Sequence, residues 1–210
     1  MRKSGTQKLI LLVLLAAVSG RPGCAQTTQS GTDQAVAQSG PQQSIGDPSP
    51  DGRYAFVENV ADDDTRSVNL IDQKTGKMVK QVADNERGWR VLWSADSTRF
   101  AGMLRYGHPN QGVTVFIRHG NTFKEVDLPE INADIPERLK RGKTFTHVAA
   151  NNWQEAVKWL KNGSLIMTVD SMIDGTGPAV EATRTVTIRF GKGEKPEVLN
   201  SSVKYDTESE

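Results

Sequence analysis

The chain has 210 residues, a formal net charge of +1 and a single cysteine. One cysteine excludes an internal disulfide, and 26 basic residues against 25 acidic ones leave no electrostatic footprint for nucleic acid.

In chain order, Arg2, Lys3 and Lys8 precede the apolar run LILLVLLAAV at 9–18, which is followed by SGRPGCAQ. A charged start, an apolar middle and a small-residue exit read as a secretory signal over residues 1–25. The run falls short of the ~20 residues that span a bilayer. Cleavage after Gly20 and cleavage after Ala25 both satisfy the small-residue rule. In a third reading Cys24 is the lipid-modified first residue of a bacterial lipoprotein, although the preceding RPG matches the lipoprotein box only at Gly23. Removing residues 1–25 takes away Arg2, Lys3, Lys8 and Arg21 and no acid, leaving 22 basic against 25 acidic residues. The expectation is an exported, weakly acidic protein, periplasmic or envelope-associated, and lipid-anchored if Cys24 is acylated.

Residues 26–46, rich in Gln, Ser, Thr and Gly without apolar period, read as a flexible linker, because they cannot bury enough surface to offset the entropy of ordering. The acidic end, 204–210, reads as a disordered tail. One domain over 47–203 remains, long enough for a core of its own.

That domain repeats itself. DPSPDGRYAFVEN, VLWSADSTRFAGML and VKWLKNGSLIMTV each set a turn before an apolar run. Asp51-Gly52 and Asn162-Gly163 supply the positive φ of a two-residue hairpin turn, and Asp96-Ser97 is the same turn with one extra residue before the strand. Strand-like runs follow each copy: SVNLID at 67–72, VTVFIR at 113–118 and TVTIRF at 185–190. Turns and short terminal strands come after them. Each unit therefore reads as a four-stranded antiparallel meander, at about 47–84, 88–128 and 153–200. Ser94 lies 45 residues after Ser49, a blade-like interval, whereas Trp159 lies 66 after Trp93.

The surplus falls in LPEINADIPERLKRGKTFTHVAANN. Here Asp134 reads as a helix cap, Pro136 as the first turn and ERLKR as the helix, within a helical insertion at about 130–150. NWQEAVKWL suits either helix or strand, and its parallel with VLW favours a strand near 155–160.

WSADSTRFAGM resembles the W-S-P-D-G-K-x-I-A signature of TolB-type, WD-repeat-like β-propeller blades, and PSPDGRYAFVE carries the same S-P-D-G core. The third copy keeps the tryptophan and the Asn-Gly turn but not Ser-Pro-Asp. The resemblance covers most of 47–200 and implies an all-β fold, with antiparallel four-stranded meanders arranged as a partial or small propeller-like domain. Three units are fewer than the four to eight of a closed ring. The array is therefore open, hides a degenerate blade near 130–155, or is completed by another copy of the chain as a homo-oligomer.

Catalytic chemistry is hard to find. His108, His119 and His147 have no partner at metal-ligand spacing. ADDDTRS at 61–67 lacks the spacing of a calcium loop. No G-x-S-x-G elbow occurs, and DGTGPAV at 174–180 lacks the lysine of a phosphate loop. Trp93 and Trp159 read as core residues, whereas Trp89 and Trp153 divide evenly between core and binding surface. The expectation is a non-catalytic binding or scaffold module of the bacterial cell envelope, without cofactor or metal, contacting a protein or envelope partner through loops on one face. Its candidate surface is Asp62, Asp63, Asp64, Tyr106, His108, Asn110, Arg138, Lys140, Arg141 and Asp174. The alternative is a hydrolase or lyase whose site assembles from inter-blade loops, bringing Asp62, Asp63, His108 and Asp174 together.

Overall fold

The computed structural model describes residues 42–61, 63–107 and 110–207. The expected signal segment, Cys24, most of the expected linker, Asp62, His108 and the last three residues of the expected tail lie outside the described residues. Among the described residues no helix is long and apolar enough to cross a membrane.

The protein is all-β. Strands β1 (Gln42–Gly46), β2 (Tyr54–Val60), β3 (Arg66–Asp72) and β4 (Met78–Glu86) form a four-stranded antiparallel meander in chain order. Then come β5 (Gly88–Trp93), β6 (Arg99–Arg105), β7 (Gln111–His119) and β8 (Thr122–Val126), a short helix α1 (Glu137–Lys140), and β9 (Phe145–Trp159), β10 (Leu165–Gly175), β11 (Val180–Phe190) and β12 (Pro196–Thr207). These eight strands make one sheet, ordered β12-β11-β10-β9-β7-β6-β5, with β8 on the remaining length of β7. The second and third meanders, read as separate units, are thus joined. The joint is one parallel pair, Gln111 with Trp153.

Similar hydrogen bonds close the three loops. Ser49 N–H donates to the Tyr54 carbonyl (2.8 Å), Ser94 N–H to Arg99 (2.9 Å) and Leu160 N–H to Ser164 (2.8 Å). Inside each loop, Asp51, Asp96 and Asn162 accept from the backbone N–H two residues on, at 3.1, 3.0 and 3.0 Å. The left-handed residue is the last of a four-residue turn, Gly52 (φ 69°), Ser97 (φ 56°) or Gly163 (φ 77°), rather than part of a two-residue hairpin turn. Spacing differs from the sequence reading as well. The first two loops span the same length, and the third is shorter by one. The longer loops have one more backbone N–H to satisfy, and the serine hydroxyl does so, accepting from Tyr54 and from Arg99 at 2.9 Å. The shorter loop has no such need, which accounts for leucine at 160.

Successive units are tied at matching points. Trp93 Nε1 donates to the Asp47 carbonyl (3.0 Å) and Trp159 Nε1 to the Leu92 carbonyl (2.9 Å), each reaching back into the preceding meander. Strand alternation then sends β6 both ways. Phe100 and Leu104 pack with Tyr54, Phe56, Val68 and Leu70 of the first meander. Ala101 and Met103 pack with Leu165, Met167, Val169 and Ile188 of the third. The middle meander is thereby covered on both faces.

Three boundaries move. The linker is read to 46, yet 42–46 form β1, because the β2 backbone offers an unpaired edge on which even polar QQSIG can pair. Residues 204–207 of the expected tail belong to β12 for the same reason, laddered onto β11. The insertion holds only four helical residues, and Asp134 does not cap them: Pro136 is the N-cap, without a side-chain bond. Residues 145–150 are strand. Residues 131–135 run as a strap whose alternate side chains Ile131, Ala133 and Ile135 are buried in the second core. The strap is held where Asn151 Oδ1 accepts from Ala133 N–H (2.7 Å) and Arg184 Nη1 donates to the Asn132 carbonyl (2.7 Å).

Candidate functional site

The sequence-predicted surface is distributed over three meanders. Asp63 and Asp64 sit in the β2–β3 loop, Tyr106 and Asn110 in the β6–β7 loop, and Asp174 near the end of β10. Each position follows the strand that its turn starts, at the opposite end of its meander. The Asp63 carboxylate accepts from the Thr65 hydroxyl (2.6 Å) and the Thr65 N–H (3.2 Å), which hold its pKa below the ordinary value. Burial and the charge of Glu86 push the Tyr106 phenol up. Asp174 accepts from the Gly175 N–H at 2.7 Å. On the insertion, Arg138 lies over the Tyr205 ring (5.7 Å), Lys140 pairs with Glu137 (2.8 Å), and Arg141 is exposed. Lys143 donates to the Pro178 carbonyl and Thr144 N–H to Thr176 Oγ1 (2.8 Å), tying the end of the insertion to the β10–β11 loop. Among the described residues no hydrogen bond or ion pair joins candidate residues of different meanders, and no group of three or more His, Cys, Asp or Glu could hold a metal ion.

The geometry gathers elsewhere, where β9 meets β5, β6 and β7. A cleft of about 400 Å³ is lined by Gly88, Trp89 and Arg90 of β5, Met103 and Arg105 of β6, Gln111 of β7, and Trp153 and Glu155 of β9. That volume lies within the ~300–1,000 Å³ of small-ligand sites, and a junction between packed units is a usual place for one.

Local backbone explains the placement. Between the pairs Asp170–Trp153 and Met172–Ala149 the register slips, with Asn151 in the left-handed region (φ 52°). Ser171 fixes this bulge, accepting from Asn151 N–H at 2.8 Å and bonding Asn151 Oδ1 at 3.1 Å. Bulges bend a strand and re-aim the side chains beside them, and Trp153 is the next paired residue. The Arg105 guanidinium carbon lies 5.0 Å from the Trp153 ring centroid. Gly88, paired with Arg105, leaves room for this, since a Cβ there would come within 3.0 Å of Arg105 Cδ. Arg90 meets Glu155 at 3.3 Å. Gln111 Nε2 donates to the Gln154 carbonyl (2.7 Å), and Gln154 Oε1 accepts from Val113 N–H (3.3 Å), fixing the joint beneath the cleft.

Of these residues the sequence reading weighed only Trp153 as a binding residue, along with Trp89. Arg90 and Arg105 occur as single charges inside strand-like runs, where a charge reads as solvent-facing punctuation. The β5–β6 hairpin brings them together, and only the sequence-distant β9 adds Trp153 and Glu155. The missed signal was that Arg105 and Gln111 bracket the β6–β7 loop that carries Tyr106 and Asn110. Compared with known proteins, the chain matches no family model and no curated protein.

Proposed function

We propose that the chain is an exported, non-catalytic binding module of the bacterial cell envelope, built from stacked meanders of the propeller-blade type. It engages a protein or envelope partner at the cleft between its second and third meanders and on the β6–β7 loop beside it. The observation that carries this reading is the chemistry of the cleft lining. Two arginines, the Trp153 ring, a methionine and a glutamine are groups that recognise and hold. The one carboxylate among them is engaged by Arg90. A signal-like first segment and a polar stretch before the domain support export with a length of tether.

The test is affinity capture from the native envelope by the full chain, comparing wild type with the Arg105→Ala/Trp153→Ala double variant. The expected result is a partner recovered with wild type and lost with the variant, at an unchanged denaturation midpoint. Recovery of the same partners by both proteins removes the cleft from the reading.

A further inference from the structure

A guanidinium laid on an indole uses its flat face for the contact and keeps its N–H donors in the plane, around its edge. The Arg105 guanidinium carbon lies over the Trp153 ring, 5.0 Å from its centroid. Among the described residues it has no carboxylate within ion-pair distance, unlike Arg90 beside it. Its donors are therefore not engaged by a carboxylate, which leaves the arginine fork able to take one through two parallel hydrogen bonds. The charged lining, two arginines against one glutamate, leaves the cleft positive. Met103 and Trp153 supply apolar wall.

We propose that the cleft binds a carboxylate flanked by an apolar group, with the carboxylate on Arg105 and with Glu155 as its internal competitor. The inference rests on the binding-module reading and names the ligand class of that same site. Arg90 and Glu155 are held at 3.3 Å with side chains 55% and 40% exposed. An ion pair so open to solvent adds little stability, so an incoming carboxylate displaces Glu155 from Arg90 at little cost. Arg90 then becomes the second donor. The resting pair keeps Arg90 oriented toward the cleft and weakens the site for anions that cannot take both arginines.

Two ligand sources share this chemistry, a peptide C-terminus and an acidic side chain, and calorimetry on the purified full chain separates them from each other and from phosphate. The compounds are acetyl-Ala-Ala-Leu as the free acid, the same peptide as its amide, acetyl-Ala-Glu-Leu-amide and inorganic phosphate. The free acid is expected to bind at least tenfold more tightly than its amide. Binding of the glutamyl amide would extend the site to side-chain carboxylates. Arg105→Ala is expected to lose at least tenfold for the acid, and Arg105→Lys, which keeps charge without the fork, to lose nearly as much. Glu155→Gln is expected to tighten the acid severalfold, a gain that a merely structural glutamate would not give. Equal binding of acid and amide, binding of phosphate above both carboxylates, no binding of either carboxylate at millimolar concentration, or weaker acid binding by Glu155→Gln would each overturn the proposal. If the carboxylates fail while envelope capture still depends on Arg105, this inference falls and the binding-module reading stands. If capture also yields no Arg105-dependent partner, that reading falls with it.

Discussion

The two seams of the protein are filled differently. Between the first and second meanders the core is aromatic: Phe100 lies 4.7 to 5.3 Å, centroid to centroid, from Phe56, Trp93, Phe116 and Phe123. Between the second and third it is aliphatic, with Val115, Ile117, Leu165, Met167, Val169 and Ile188, closed from the side by the strap residues Ile131, Ala133 and Ile135. A few large rings can fill a gap between two short sheets without help. Smaller side chains cannot, and the chain spends an insertion on the difference. The tie between meanders is the same in both seams, a tryptophan Nε1 on a backbone carbonyl, so the contrast lies in packing and not in the repeat itself.

The strongest way to break this comparison is to empty each seam in turn. Phe100→Ala removes a fully buried ring that touches aromatic residues from both meanders, and should cost about 3–5 kcal/mol by urea denaturation. Ile135→Ala withdraws one strap residue, and about 2–4 kcal/mol is expected. Hydrogen exchange should show the first change loosening β2 and β3 and the second loosening β10 and β11. A larger loss from Ile135→Ala than from Phe100→Ala would reverse the ranking of the seams and make the strap the principal stabilising element.

What the sequence made legible follows the same division. Turns and strands could be read because each depends on residues a few positions apart: Asp51 on Arg53, Ser94 on Arg99, Asn162 on Ser164. The tryptophan ties could not, since Trp93 and Trp159, read as core residues, bond to carbonyls 46 and 67 residues away. The β7–β9 joint could not, since one pair between Gln111 and Trp153 leaves no pattern in either segment. Strand β1 was hidden because its polar residues are ordered by the edge of β2, not by their own side chains. The strap was read only as the lead-in to a helix because LPEINADIP shows a cap and a proline, while the burial of Ile131 and Ile135 comes from a core assembled elsewhere. The cleft was missed for a related reason: exposure and charge in loops were read as binding surface, whereas Arg90 and Arg105 sit inside strands.

A smaller effect sharpens the comparison at the turns. Burial pushes the Asp51 and Asp96 carboxyls up. The serine hydroxyls and the N–H groups of Arg53 and Thr98, helped by the Thr98 hydroxyl and by the Arg118 and Arg99 charges, outweigh it and hold both below the ordinary value of 3.8. A carboxylate depressed in the folded state adds stability that is complete above its unfolded value and is lost as pH falls through the folded one. The denaturation midpoint should therefore fall as pH drops below about 4. The Asp51→Asn/Asp96→Asn pair should flatten that slope, while Asn162 in the third turn already contributes none. Both side chains are solvent-accessible, so the effect is modest beside either seam. An unchanged slope in the double variant would place the acid sensitivity outside the turns.

The smallest expected change has the opposite sign. Tyr54 is fully buried at the edge of the aromatic seam, against Phe123 at 5.1 Å and under the Arg53 guanidinium at 4.9 Å, yet its hydroxyl has no hydrogen-bond partner among the described residues. A hydroxyl desolvated on folding and left unbonded costs about 1–3 kcal/mol that its ring must offset. Tyr54→Phe keeps the ring and removes that cost, so it should leave the protein as stable as wild type or raise it by up to about 1 kcal/mol. A clear loss of stability in Tyr54→Phe would mean that the hydroxyl is bonded after all, and that the aromatic seam depends on a polar contact as well as on its rings.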